Sequence, residues 1–287
     1  MLKQRIITAL LLAPMALIAI LFLPLRGFEL VAAGVIALGA WEWANLAGLT
    51  ISLFKVIYTS IVTGLCFLLA FAVPTEMIWV QGQLNSLYYA ILAIAAAWWF
   101  ASLFLIIAYP NMNAFWRTSV FWRGLFGILT LVPTWVGFVT LRTSLYDIEP
   151  LYGASLIFYV LGIVWAADVG AFFVGVKFGR HKLRPNVSPG KTLEGLFGGI
   201  AASFAIIGFA ALHYQVDTSR IFAHILVGGL TVAVSALGDL NESMFKRSAG
   251  CKDSGNLLPG HGGILDRIDS LTAAFPVFAL CYVLWMA

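Results

Sequence analysis

The residues best able to do chemistry lie between Gly238 and Ser270. Asp239, Glu242, Ser243, Lys246 and Arg247 come first, then Lys252 and Asp253. Gly260-His261-Gly262-Gly263 follows, and Asp266, Arg267, Asp269 and Ser270 complete the stretch. If a helix continues through the first group, Asp239, Glu242, Ser243 and Lys246 fall at i, i+3, i+4 and i+7 and share one face. Asp266, Asp269 and Ser270 share a face in the same way. Glu242 and Lys246 form an ordinary i,i+4 ion pair on this reading, and acids near a helix N-terminus are favoured by the dipole alone. Neither effect accounts for Asp239, at the edge of an apolar run, where a carboxylate is costly and usually functional. Asp239 and Asp266, on two helices meeting at one membrane surface, are therefore expected to share a divalent metal. Magnesium prefers one or two carboxylates, waters and substrate phosphates. The absence of a dense His/Cys cluster argues against zinc. The glycines around His261 permit an anion nest of backbone N–H groups. Lys246, Arg247, Lys252 and Arg267 supply charge around it.

A second polar stretch runs from about residue 177 to 192 and ends Ser188-Pro189-Gly190-Lys191-Thr192. Gly190-Lys191-Thr192 is not a nucleotide-binding P-loop, because Pro185 stands where the pattern requires glycine. Ser188, Lys191 and Thr192 can grip a polyphosphate or a lipid headgroup; the basic residues here also fit a plain topological signal. Gly195 and Gly199 suit close helix packing. Asp168 stands in or near the end of an apolar span, either as a functional carboxylate in a costly place or as a helix-packing hydrogen-bond partner. Glu42, between Trp41 and Trp43, reads as an interfacial structural residue. His181, His213 and His224 are assigned no role.

The elements that must position these groups are membrane helices. Of the 287 residues, 61% are hydrophobic and 10% charged. A soluble domain of this length cannot bury so much apolar surface. Nine apolar runs are long enough to span, at about 6–25, 28–48, 56–73, 86–108, 124–141, 151–174, 193–212, 221–239 and 268–286. The first run is too long for a cleaved signal peptide. With the N-terminus in the cytoplasm, fourteen of the 17 Lys and Arg fall inside, and only Arg26, Arg142 and Arg220 fall outside. That bias favours nine spans with the C-terminus on the opposite side. The net charge of +4 is then explained by topology, and nucleic acid is not an expected partner. Cys66, Cys251 and Cys281 show no paired spacing. The expectation is an all-α polytopic membrane protein, one domain over 1–287. Residues 1–150 are mainly scaffold, and 151–287 form a catalytic half with cytoplasmic loops at about 177–192 and 240–267.

The run Ser243-x-Phe245-Lys246-Arg247-x4-Lys252-Asp253-x-Gly255-x2-Leu258-Pro259-x-His261-Gly262-Gly263-Ile264-x-Asp266-Arg267-Ile268-Asp269 resembles the signature of the phosphatidate cytidylyltransferases, the CDP-diglyceride synthases. The segments around Trp165, Asp168 and Gly170-Ala171, and Ser188 to Gly195, extend the resemblance. It covers essentially the whole chain, with its specificity beyond residue 160. It implies that CTP and phosphatidic acid give CDP-diacylglycerol and pyrophosphate with Mg2+, in a bacterial inner membrane with the site facing the cytoplasm. On that reading Asp239 and Asp266, with Asp168 as a further candidate, hold the metal. Lys246, Arg247, Lys252 and Arg267 neutralise phosphates. Ser188, Lys191, Thr192, Ser243, His261, Gly262 and Gly263 complete the substrate pocket. The number of carboxylates is compatible with a second metal ion, and a homodimer is left open. The rivals are a CTP-dependent polyprenol or lipid kinase, which should need a base, and an ion-coupled transporter. Internal repeats would favour the transporter, and the sequence has none.

Overall fold

Inside a bilayer every backbone N–H and C=O must be satisfied within the protein, which restricts apolar segments to helices or closed barrels. The computed structural model describes residues 2–111 and 114–286, with side chains from Thr8 onward except Ala9. Lys3 and Arg5, counted above on the inner side, lie outside the described side chains. All nine apolar runs are helical: α1 (Leu2–Leu21), α2 (Leu25–Leu46), α3 (Ser52–Ala72), α4 (Ser86–Ala108), α6 (Val120–Thr143), α7 (Tyr152–Phe178), α8 (Leu193–His213), α9 (Ile221–Ser248) and α10 (Leu265–Trp285). A single extra turn, α5 (Ala114–Arg117), precedes α6. Eight of them, α2 to α4 and α6 to α10, are long and apolar enough to cross a membrane. The chain is an all-α, multi-pass membrane protein. In α1 the described apolar portion is Leu10–Leu21.

The boundaries shift for local reasons. α1 ends at Leu21 and α2 begins directly after Pro24, whose ring disfavours helical backbone in the residue before it and suits the start of the next helix. α7 and α9 run past their apolar stretches, to Phe178 and Ser248. The i, i+3, i+4, i+7 spacing beyond Asp239 predicts that extension of α9. The polar stretch after α7 is not a plain loop. It folds as an antiparallel hairpin of β3 (Lys182–Arg184) and β4 (Ser188–Thr192). A smaller hairpin, β1 (Trp79–Val80) and β2 (Gln83–Leu84), lies between α3 and α4.

Of these eight, α6 and α10 are the most enclosed helices, and α3 and α8 the most peripheral. α10 packs against α9, α6, α4 and α7. Without a hydrophobic force between helices in lipid, close backbone approach and polar contacts hold them together. Gly137 of α6 lies against the backbone at Phe275 and Pro276 of α10, where a Cβ would stand 2.8 Å from Pro276 N. Nearby, the Thr134 hydroxyl donates to Thr272 O at 3.1 Å. α7 and α8 meet through Gly170, Gly195 and Gly199. A Cβ on Gly199 would stand 2.6 Å from Ala167 O, and one on Gly195 would stand 2.9 Å from Ala171 O. The Ser203 hydroxyl adds a 2.9 Å bond to Ile163 O across the same seam.

Candidate active site

Two polar centres sit at one end of the bundle, joined by α9. The first is a cavity of about 430 Å³ between α7, α8, α9 and the β3–β4 hairpin. Asp168 enters it from α7, Lys191 from β4 and Asp239 from α9. Lys191 Nζ pairs with Asp239 Oδ2, and both side chains remain partly exposed. Asp168 stands within electrostatic reach of both. The remaining wall is mainly apolar, including Phe172, Val176, Leu196 and Ile200. Phe172 and Val176 are exposed on the outer side of α7. The cavity thus joins a charged end to an apolar flank, the combination a phospholipid requires.

The hairpin is fixed on three sides. Arg184 Nη2 donates to Ile106 O at 2.6 Å and also to Ile107 O, at the end of α4. Arg247 Nε, at the end of α9, donates to Val187 O at 3.3 Å. Thr192 caps α8, its hydroxyl accepting Gly195 N–H at 3.1 Å, which satisfies one of the open donors of that helix start. Ser188 opens β4. Lys191 is the hairpin residue aimed at a carboxylate.

The second centre is the turn from Ala249 to Ile264 and the start of α10. Lys246 Nζ is buried between Glu242 Oε2 at 2.8 Å and Asp266 Oδ1 at 2.7 Å. Asp266 Oδ2 also accepts Gly263 N–H at 2.8 Å and Ser254 N–H at 3.0 Å. Gly260 and Gly262 adopt φ of +76° and +85°, a region that favours glycine. The turn is a cap for α10. The N–H groups of His261 and Gly263, expected to face an anion, are spent on Leu258 O and Asp266. Arg267 Nη2 donates to His261 O at 2.6 Å. Lys252 is exposed.

The carboxylate that anchors this turn comes from the first half of the chain. No side chain at the start of α10 caps it. Glu42 of α2 supplies the cap instead, accepting Ile264 N–H at 3.0 Å, Leu265 N–H at 2.7 Å and the Ser254 hydroxyl at 3.1 Å. Glu42, which its Trp neighbours mark as an interfacial structural residue, has a structural role here and is buried within the protein at 1% exposure. The available signal was a carboxylate inside an apolar span.

Asp239 and Asp266 thus find different cations, Lys191 and Lys246, and among the described residues no hydrogen bond or ion pair joins them directly. Between them stand two further carboxylates, Asp269 and Glu242, which face each other, with Asp239 also close to Asp269. Ser243 donates to Asp239 Oδ1 at 3.4 Å. Asp168, Asp239, Asp269, Glu242 and Asp266 therefore form a line of acids interrupted by only two lysines. Glu242 is buried on this line at 2% exposure.

Residues 3–285 match the model of the cytidylyltransferase family. A phosphatidate cytidylyltransferase of Pseudomonas aeruginosa is 46% identical over 100% of this chain and 98% of its own length. Another, of Haemophilus influenzae, is 42% identical over 98% and 99%, and one of Bacillus subtilis is 32% identical over 96% and 95%. With acids, lysines and an apolar flank gathered at one end of a multi-pass bundle, and full-length likeness on both sides, the chain belongs to the cytidylyltransferase family.

Proposed function

We propose that the protein is a phosphatidate cytidylyltransferase, converting CTP and phosphatidic acid into CDP-diacylglycerol and pyrophosphate. The observation that carries this reading is the full-length identity of 46% to a relative of that name. The cavity bearing Asp168, Lys191 and Asp239 beside an apolar wall supports it.

The nucleophile is a phosphate oxygen of the lipid. A phosphomonoester loses its second proton near pH ~6, so it is already charged at neutral pH and requires no protein base. The new bond joins that oxygen to the α-phosphorus of CTP, and the bond from the α-phosphorus to the α,β-bridging oxygen breaks, so that oxygen leaves as a terminal oxygen of pyrophosphate. The obstacle is repulsion between two polyanions, which fixed cations must screen. Lys191 is placed at the polar end of the cavity for that purpose. The apolar flank of α7 and α8 gives a lateral entry for acyl chains.

Magnesium fits the residues present. Among the described residues no three acidic, histidine or cysteine groups converge on a metal, yet magnesium needs only one or two carboxylates alongside phosphates and water. Asp239 would hold it, with Asp168 or Asp269 beside it, and Asp266 would stand further back, on Lys246. When bound, the ion supplies positive charge to the phosphates and the departing pyrophosphate. A bacterial inner-membrane location with the site facing the cytoplasm is supported by the Lys/Arg bias and by the cytosolic supply of CTP.

The test uses purified protein in detergent–lipid micelles with labelled CTP, phosphatidic acid and magnesium. Label entering the organic phase with matching pyrophosphate release, abolished by EDTA, is expected. Absence of product from folded protein across several acyl chains and metals would remove the reading.

A further inference from the structure

At the other end of α2 from Glu42, a cavity of about 480 Å³ opens between α2, α3 and α6. Its polar groups are Arg26 and Glu29. Thirteen residues of helix separate Glu29 from Glu42, roughly 20 Å along the axis, so this cavity is remote from both polar centres described above.

Glu29 is 4% exposed. Its Oε2 accepts Arg26 Nη1 at 3.2 Å, but its Oε1 is buried without a hydrogen-bond partner. A buried carboxylate oxygen left unsatisfied is costly and calls for a donor. Arg26 is half exposed and uses only Nη1, toward Glu29 and toward Ala70 O at 3.2 Å. Of its five N–H donors most remain available. Glu76, exposed at the turn after α3, lies within electrostatic reach of both residues, so Arg26 has two carboxylates near it. The flank is apolar and faces outward, with Phe71 85% exposed and Leu30 and Phe67 beside it. On a multi-pass protein such a flank meets acyl chains.

An acceptor in need of a cationic donor, next to a guanidinium with free donors, next to lipid, matches a zwitterion on a diacyl tail. We propose that this cavity binds the headgroup of an amine-bearing phospholipid, with its phosphate on Arg26 and its ammonium on Glu29, in the leaflet opposite the catalytic centres. A glycerol headgroup offers hydroxyl donors without charge. Free phosphate leaves Glu29 unsatisfied.

The test is native mass spectrometry of the full chain, released from micelles holding equal amounts of dioleoyl phosphatidylethanolamine and dioleoyl phosphatidylglycerol. The wild type is expected to retain the amine lipid about tenfold better, the discrimination one charge-assisted hydrogen bond supplies. Glu29→Gln should bring the two lipids to parity, and Arg26→Gln should weaken both. Equal retention by the wild type, or an unchanged preference in Glu29→Gln, overturns the proposal. Should Glu29→Gln fail to fold, Ala70→Phe fills the cavity while leaving both charges in place. It should displace the amine lipid, and undiminished retention there overturns the proposal equally.

Discussion

The Glu42 carboxylate accepts the backbone N–H of Leu265 at 2.7 Å, although 223 positions of chain separate the two residues. The same carboxylate accepts Ile264 N–H and the Ser254 hydroxyl, so one side chain of α2 sets both the start of α10 and the turn before it. Glu42→Ala strips three donors of their acceptor, two of them buried, at about 1–3 kcal/mol for each buried group left unsatisfied. The expected outcome is a melting temperature lowered by several degrees in micelles, together with at least tenfold lower turnover. Glu42→Gln, which keeps an acceptor oxygen, should fall between Ala and wild type in both measurements. Equal melting and turnover in all three proteins would deny Glu42 this role.

Asp266→Asn removes a charge from a buried pair but leaves Lys246 its bond to Glu242. The variant should therefore insert and fold, with a normal elution profile on gel filtration. Product formation should fall at least 100-fold, because the Lys246–Asp266 contact and the two backbone bonds that shape the turn all weaken together. Normal turnover would show that the turn tolerates a neutral side chain there.

Lys191 is paired with Asp239 inside the cavity. Lys191→Met should raise the KM for CTP and lower kcat, with kcat/KM reduced about 10–100-fold, as loss of a charge-assisted contact worth roughly 1.5–3 kcal/mol predicts. Steady-state kinetics at saturating phosphatidic acid would check this. Lys191→Arg keeps the charge and should recover part of the loss.

The α7–α8 seam is tight enough to test by size alone. A Cβ at Gly170 would stand 2.5 Å from Gly198 O, and one at Gly199 2.6 Å from Ala167 O. Gly170→Val and Gly199→Val should each cost about 1–3 kcal/mol by overpacking. They should also reduce activity, since Asp168 and Lys191 sit on the two sides of that seam. Thermal melting with and without CTP separates the two effects. Gly208→Ala, at a position with nothing within 4 Å, is the neutral control.

What could be read from the sequence depends on the range of the force involved. The helices were legible because desolvation of roughly 20 consecutive residues leaves a pattern in any window of the chain. The continuation of α9 was legible because Asp239, Glu242, Ser243 and Lys246 keep helical spacing. The β3–β4 hairpin was not, since strands of three and five residues carry too little alternation, and their fixing bonds come from Arg184 to α4 and from Arg247 of α9. The sequence around His261 permits an anion nest, because glycine spacing shows where a backbone can bend but not which acceptor will take its N–H groups. Asp266 takes Gly263 N–H, and Glu42 takes the two that follow. Only the tertiary fold could reveal that Glu42 caps α10.

Arg247 distinguishes charge from geometry. Sequence alone assigns it to phosphate neutralisation. In the fold its Nε donates to Val187 O in the hairpin, and its Nη1 donates to Cys251 O in the turn, both at 3.3 Å. One guanidinium therefore ties the two polar loops together. A lysine carries the same charge but cannot donate in two fixed directions from one planar group. If the tie is what matters, Arg247→Lys should lose nearly as much as Arg247→Ala, with the KM for CTP raised about tenfold in each, equivalent to roughly 1.4 kcal/mol of lost binding. Recovery of wild-type KM by Arg247→Lys would return the residue to a purely electrostatic role. Limited proteolysis gives an independent reading, because loss of the tie should expose the hairpin turn at Pro185 and Asn186 to cleavage in both variants alike.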